Sequence, residues 1–312
     1  MKNVPPSSPL RIGTRGSPLA LAQAVETQTK LMTAWDWPEE AFEVVVIQTS
    51  GDRIQDRPLR LVGGKGLFTK EIEEQLLDGS IDIAVHSMKD MPTAQPDGLV
   101  LDTYLPREDV RDAFVSPSTD SIASLTQGER VGSSSLRRRA QLMHVRPDLD
   151  VVEFRGNVQT RLKKLAEGVA SCTFLAMAGL NRLNMAHIAT LAIEPEDMLP
   201  AVAQGAIGIE RRSNDSVTAA LLEPLHHAGT GQRLAAERAF LAALDGSCET
   251  PIAGLATLEC SELLLRGEVL RPDGSEKLSG ERRGAVGRGA EMGYDLAQDL
   301  LSQAGPKFFS WR

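Results

Sequence analysis

Three short turns in this 312-residue chain combine glycine or serine with arginine at a strand-to-helix step: "GTRGS" (13–17), "GSSSLRR" (132–138) and "FRGN" (154–157). A helix N-terminus offers unpaired N–H groups and a partial positive charge, which suit an anion. Arg15 and Ser17, then Ser133 to Ser135 with Arg137 and Arg138, then Arg155 with Arg161 one turn further on, add hydroxyls and guanidinium forks to those sites. Each turn alone is an ordinary cap; the three together point to an anion-binding crevice. None is a nucleotide loop, because "VGGKG" lacks the GxxxxGK[ST] spacing and GxGxxG is absent. "HSMKDMP" (86–92) follows an apolar run and sets Lys89 beside Asp90. A carboxyl group at such a strand end can give and take protons, its pKa set by burial and nearby arginine. Lys89 reads as a carboxylate partner or, less readily, a Schiff-base lysine; an ordinary loop salt bridge stays open. Cys248, in "LDGSCETPIAG" (244–254), is one of only three cysteines. It reads either as a structural thiol or as a reacting sulfur.

The composition narrows the partners. Formal net charge is −8, which argues against general nucleic-acid binding. Yet 25 of the 34 basic residues are Arg, the side chain suited to two-bond recognition of carboxylate or phosphate. At a Debye length of about 8 Å, nearby arginines outweigh distant surface carboxylates, so an acidic protein can still hold a small polyanion. Cys172, Cys248 and Cys260 are odd in number and lack CxxC spacing, which points to a reducing compartment. The five histidines lack metal-site spacing, so no metal is expected. The start, "MKNVPPSSPL", has no apolar targeting segment, and no run is long enough to span a membrane; a cytoplasmic location is expected.

The elements that must position these residues follow from the apolar pattern. "LRIGTRGSPLALAQA" reads as strand, turn and helix, with Ser17 as N-cap and Pro18 in the first turn. "FEVVVIQTSGD" reads as a buried strand, "GLFTKEIEEQLLDG" as an amphipathic helix, and "SIDIAVHSMKD" as a buried strand ending in a polar loop. The order recurs in "ERVGSSSLRRRAQLM", "LDVVEFRGNVQTRLKKLAEG", with Asn157 as N-cap, and "SCTFLAMAGLNRL", a strand and loop. Strands without strict alternation, separated by helices, argue for α/β lobes with mainly parallel sheets. Lobe 1 is expected over 1–105 with 200–222, where "LPAVAQGAIGIERR" supplies a strand returning to it, and lobe 2 over 106–199. Residues 223–312 read as a small α+β domain of antiparallel strands and two helices. The charged, Gly-rich stretch 49–68 reads as a lid or a flexible surface loop. In open α/β sheets ligands bind beyond the carboxyl ends of the strands, which would face the three turns and Asp90 toward one crevice.

The ordered motifs "RIGTRGSPLALAQA", "VGGKGLFTKEIE", "DIAVHSMKDMP", "REDVRDAFVS", "SSLRRRAQL", "RGNVQTRL", "AGLNRL", "LPAVAQGAIGIE" and "GSCETPIAG" closely resemble the porphobilinogen deaminase (hydroxymethylbilane synthase) family over nearly the whole chain. The resemblance implies two periplasmic-binding-protein-like lobes with a cysteine-bearing third domain. It implies a transferase that joins four porphobilinogens head to tail with loss of ammonia, primed by a dipyrromethane in thioether linkage to Cys248. It further implies Asp90 as the catalytic carboxylate. Cofactor contacts fall on Ser87, Lys89, Ser135, Arg137, Arg138, Arg155 and Gly156. Substrate contacts fall on Arg15, Ser17, Lys65, Phe68, Arg155, Arg161, Arg182 and Gln204. A monomer is implied, with neither nucleic acid nor membrane as partner. Ser247, Asn181 and Ser171-Cys172 depart from the family pattern. Two other readings remain: a non-enzymatic two-lobed anion binder, which needs no cysteine-bearing domain, and a pyridoxal enzyme using Lys89, which would absorb visible light.

Overall fold

The structure, a computed structural model, describes residues 8–53, 69–246 and 250–311. The chain divides into two compact units, Met1–Arg107 with Ala206–Gly231 and Glu108–Gly205 with Gln232–Arg312. It crosses between them at 107/108, 205/206 and 231/232.

In the first unit, β1 (Leu10–Arg15) runs into α1 (Pro18–Trp35) through the Gly16-Ser17 step. The Ser17 hydroxyl accepts from Ala20 N–H at 3.2 Å, and Pro18 opens the helix, where it loses no hydrogen bond. β2 (Phe42–Ile47), a single helical turn α2 (Ser50–Arg53), α3 (Lys70–Leu77), β3 (Ile83–Ser87) and β4 (Leu99–Tyr104) follow. β10 (Ile207–Arg212) and α7 (Ser216–Leu222) arrive later in the chain. The sheet order is β2-β1-β3-β10-β4. β1 is parallel to β2 and β3, and β10 is antiparallel to both β3 and β4. Four strands thus point one way and β10 runs against them; "AIGIERR" does return to the first lobe. Both faces are covered. Ala24 and Leu31 of α1 pack with Ile12, Val85 and Ile209. Ile72 and Leu76 of α3 pack with Ile47, Ala84 and Leu99. The three valines of β2 correct the expectation of a buried strand: β2 is the sheet edge, and Val46 is 56% exposed.

The second unit repeats this order with other residues. β5 (Asp112–Val115), β6 (Arg130–Gly132), α4 (Leu136–Val145), β7 (Asp150–Val152), α5 (Val158–Ala166), β8 (Cys172–Ala176), α6 (Met177–Arg182) and β9 (Leu191–Ile193) build a sheet of order β7-β6-β8-β5-β9. β6 is parallel to β7 and β8, whereas β5 is antiparallel to β8 and β9. Each sheet therefore has its reversed strand in the fourth place, so the sheets are mixed but mostly parallel. "MAGLNR", expected as loop, is the short helix α6. Its N-cap, Ala176, makes no side-chain bond, and burial of Met177, Ala178, Gly179 and Leu180 holds it instead. The last crossing falls within α8 (Ala228–Ala243). β11 (Ile252–Glu259), β12 (Glu262–Leu270) and β13 (Lys277–Ala285) form an antiparallel meander, followed by α9 (Gly289–Gln303). This meander and helix belong to the second unit.

Candidate functional site

β1 and β3 end side by side because they are parallel, and a pocket opens beyond them. Arg15, Ser17, Thr69, His86, Ser87 and Asp90 line it, with Gln23 and Met91 among the remaining walls. The residues meet there for local reasons. Ser17 is held by capping α1. Ser87 exchanges two bonds with Gln23: Gln23 Nε2 donates at 2.8 Å, and the Ser87 hydroxyl donates back at 3.0 Å. The turn Met88–Asp90 is pinned where Met88 N–H donates to Ala206 O at 3.0 Å and Met91 N–H to Met88 O at 3.2 Å. Asp90 is exposed at the end of this turn, and Lys89 beside it is half-buried. Of the expected site residues, the structure thus gathers Arg15, Ser17, Ser87 and Asp90 in one pocket, with Lys89 adjacent.

Behind this pocket His86 Nε2 lies 3.1 Å from Glu210 Oε2 of β10. His86 is 6% exposed and Glu210 0%. Glu73 of α3 approaches the same pair. Burial pushes the Glu73 carboxyl up; a hydrogen bond with Thr69 pulls it back, and Glu210 and His86 add smaller, opposing effects.

In the second unit the serines of "GSSSLRR" serve the turn itself. Ser134 Oγ accepts from Phe154 N–H at 2.8 Å, and Ser135 Oγ accepts from Arg138 N–H at 3.4 Å as the N-cap of α4. Arg137 and Arg138, 4% and 6% exposed, turn inward onto fully buried Asp112 at the start of β5. Arg137 Nη1 donates to Asp112 Oδ2 at 2.7 Å and to Leu199 O at 3.0 Å. Arg138 donates through Nε at 3.1 Å and Nη2 at 2.7 Å to Asp112 Oδ1, and through Nη1 to Phe174 O at 2.8 Å. Gln204 Nε2 reaches the same Oδ1 at 3.0 Å. Burial pushes the Asp112 carboxyl up, but the two arginines outweigh it and hold it well below the usual carboxylate range. Two cations facing one anion leave a net positive charge, and Arg137 Nε is buried without a hydrogen-bond partner. One step outward, Gln141 Nε2 donates to Glu268 at 3.1 Å, and Lys277 lies 3.5 Å from Glu268, which leaves the balance unchanged. The sequence reading missed Asp112; its only signal is a carboxylate directly before the apolar "AFV".

The turn from β7 to α5 carries Arg155, Gly156 and Arg161. Asn157 caps α5 by accepting from Thr160 N–H at 2.9 Å. Gly156 has φ +123°, and a Cβ there would meet Thr160 at 2.6 Å, so the turn requires glycine. Arg161 Nε donates to Gly156 O at 2.9 Å and Lys164 Nζ to Arg155 O at 3.0 Å. Arg182, at the end of α6, donates to Gly205 O at 3.2 Å. Lys65, Phe68 and Cys248 lie outside the described residues. Cys172 is buried, its thiol pushed up to about 12 by burial, and Cys260 is exposed. Among the described residues no cluster of His, Cys, Asp or Glu is suited to a metal ion, and no helix is long and apolar enough to cross a membrane.

A family model for porphobilinogen deaminase, dipyromethane cofactor binding domain, matches residues 10–220. A second, for the porphobilinogen deaminase C-terminal domain, matches residues 232–302. A porphobilinogen deaminase from Paracoccus denitrificans is 64% identical over 306 residues, which is 98% of each chain. Solved structures give distant likenesses. An ABC-transporter periplasmic substrate-binding protein from Coxiella burnetii is 14% identical at TM-score 0.41, covering 71% of this chain and 93% of that one. A putative methionine-binding lipoprotein from Bacillus subtilis is 14% identical at TM-score 0.42, covering 72% and 92%.

Proposed function

The chain belongs to the porphobilinogen deaminase family, and from that premise we propose how its residues share the reaction. It is a transferase of the hydroxymethylbilane synthase type that acts on porphobilinogen and carries a dipyrromethane cofactor. The observation that carries the assignment of roles is the pocket beyond β1 and β3, where Arg15, Ser17 and Asp90 converge.

Asp90 is the acid and base of the condensation. Its carboxyl protonates the amino group of porphobilinogen, the carbon–nitrogen bond breaks, and ammonia leaves. The carboxylate then faces the cationic azafulvene formed from the substrate, where a negative group stabilises positive charge. When the new carbon–carbon bond is complete, Asp90 takes up the proton lost from the pyrrole carbon, and the cycle closes. Arg15 and Ser17 hold the substrate carboxylates, each charge-assisted bond contributing about 1.5–3 kcal/mol. Lys89 is a carboxylate partner, because no carbonyl is present to form an imine.

When bound, the dipyrromethane supplies the terminal pyrrole carbon on which the chain is extended. The residues fit it: a dipyrromethane built from two porphobilinogens is a polycarboxylate, and the Asp112 cluster has excess positive charge and the orphaned Arg137 Nε. Arg137 and Arg138, with Ser135, Arg155, Gly156, Lys89 and Ser87, hold the cofactor. Arg155, Arg161, Arg182 and Gln204, with Lys65 and Phe68, hold the growing chain. Cys248 is the tether. The other two cysteines suit that role poorly, since Cys172 is buried with a raised pKa and Cys260 lies in the tight turn between β11 and β12. A monomer in the cytoplasm, with neither nucleic acid nor membrane as partner, goes with this reading; its support is the −8 charge and the odd cysteine count.

Intact mass tests the tether. The purified protein should carry added mass equal to two deaminated porphobilinogen units on the Cys248 peptide, and Cys248→Ser should carry none. Turnover by protein whose Cys248 is unmodified overturns the assignment. Asp90→Asn should load cofactor yet lose about 10²–10⁴-fold in rate; a near-normal rate removes Asp90 from its role.

A further inference from the structure

Asp112 gives Arg138 two hydrogen bonds but Arg137 one, through Nη1 at 2.7 Å. A fork held at one nitrogen can pivot about that bond. Two more acceptors meet the same Nη1: Leu199 O at 3.0 Å and Gln141 Oε1 at 3.2 Å. Gln141 stands one turn along α4 from Arg137, at the spacing that brings side chains together, and is 7% exposed. Its amide nitrogen donates to Leu199 O at 3.1 Å and to Glu268 Oε2 of β12 at 3.1 Å. The neighbours fix the sense of that amide. Leu199 O and the Glu268 carboxylate only accept, and Arg137 only donates, so Nε2 faces the first two and Oε1 faces the guanidinium. Glu268 is itself held from β13, where Lys277 Nζ lies 3.5 Å from Oε1. Arg137 Nε is buried without a hydrogen-bond partner among the described residues.

We propose that Gln141 and Glu268 are positioning residues for Arg137: Glu268 turns the Gln141 amide so that its oxygen holds Nη1, and the fixed fork presents Nε to a carboxylate of the cofactor. The inference rests on Arg137 holding the dipyrromethane. It gives neither residue a contact with cofactor or substrate. Their contribution is preorganisation, because a guanidinium already in its binding orientation loses less freedom when the polycarboxylate arrives. Without the Glu268 acceptor, the amide nitrogen keeps only Leu199 O, which Arg137 also uses, and the glutamine is free to turn. Without the amide, Nη1 keeps Asp112 and Leu199 O, and the fork is free to pivot.

The test follows loading of full-chain apoprotein with porphobilinogen, read by intact mass as the gain of two deaminated units, well below each variant's Tm. Gln141→Leu should load about tenfold more slowly, the equivalent of one hydrogen bond to a charged group, and Glu268→Leu about threefold more slowly. Glu268→Gln still offers Gln141 an oxygen and should load within about twofold of wild type. Once loaded, both Leu variants should lose kcat severalfold with KM within about twofold, since Arg137 holds cofactor rather than incoming substrate. His144 supplies the control. It anchors the end of α4 through Nδ1, 2.9 Å from Gly274 O, so His144→Ala loosens the same helix without touching the partners of Arg137. It should lower Tm and load at the wild-type rate; loading as slow as in Gln141→Leu would make the effect a loosened helix and overturn the proposal. Wild-type loading in either Leu variant also overturns it. Glu268→Leu, at a partly exposed position, decides the matter if Gln141→Leu does not fold. Arg137→Lys keeps a charge against Asp112 and separates the two readings: if it loads and turns over as wild type, the role of Arg137 fails. If it loads slowly while Gln141→Leu loads normally, only the present inference fails.

Discussion

Asp112 shows how one residue can govern several. Its two oxygens receive Arg137, Arg138 and Gln204 in a fully buried setting, so the orientation of three expected binding residues depends on one carboxylate. Removing its charge leaves two buried guanidiniums uncompensated, and Asp112→Asn should lose about 3–5 kcal/mol at pH 7. The sign with pH follows from the depressed carboxyl. Its stabilisation is complete above the ordinary carboxylate pKa of about 3.9 and drains away as pH falls toward the lower folded value. The Tm gap between wild type and variant should therefore be widest near neutrality and should narrow below about pH 4. Cofactor loading, read by mass well below the variant's Tm, should fall as well. A variant within about 0.5 kcal/mol of wild type at pH 7, fully loaded, would remove Asp112 from this role. The arginines were legible as anion-seeking because they stand at a capped helix start. Asp112 was not, because "REDVRD" has five charged residues in six and reads as solvated loop until β5 buries its last member.

At the scale of elements, β10 does most to place the site. It lies between β3 and β4, sets Glu210 behind His86, and pairs Gly208 with His86 in register. A Cβ on Gly208 would meet Met88 Sδ at 2.1 Å and Leu101 Cδ2 at 2.8 Å, and Met88 opens the turn that ends in Asp90. Gly208→Ala should thus cost about 1–3 kcal/mol by overpacking and should lower kcat more than it raises KM, because the displaced group is the turn that carries the acid. Unchanged kcat with unchanged Tm would show that Met88 moves aside freely. Strand–turn–helix steps were readable because their signals are local: Ser17, Asn157 and the closing glycines at 79 and 168, both with positive φ. What was not readable depends on neighbours distant in sequence. Whether "VVV" sits inside a sheet or at its edge, and whether "MAGLNR" gains enough burial to be helical, are settled by packing.

For the whole molecule, each unit is discontinuous in sequence, since the first needs Ala206–Gly231 and the second receives its chain at 108 and again at 232. The consequence is clearest in the first sheet. β4 touches the rest of that sheet only through β10, which supplies partners to β3 on one side and β4 on the other. A fragment ending at 107 would leave β4 unpaired. It would also expose Ile83, Val85 and Leu105, whose core includes Ile207, Ile209, Leu222 and Leu225 from the later segment. Residues 1–107 expressed alone should therefore give the circular dichroism and narrow amide dispersion of an unfolded chain. The same residues joined by a flexible linker to 206–231 should fold with a cooperative transition, because the sheet and its α1-facing core are then complete. A folded, dispersed spectrum from 1–107 alone would mean that β1, β2 and β3 with α1 suffice. The later strand would then be an addition to a finished lobe rather than the strand that closes it.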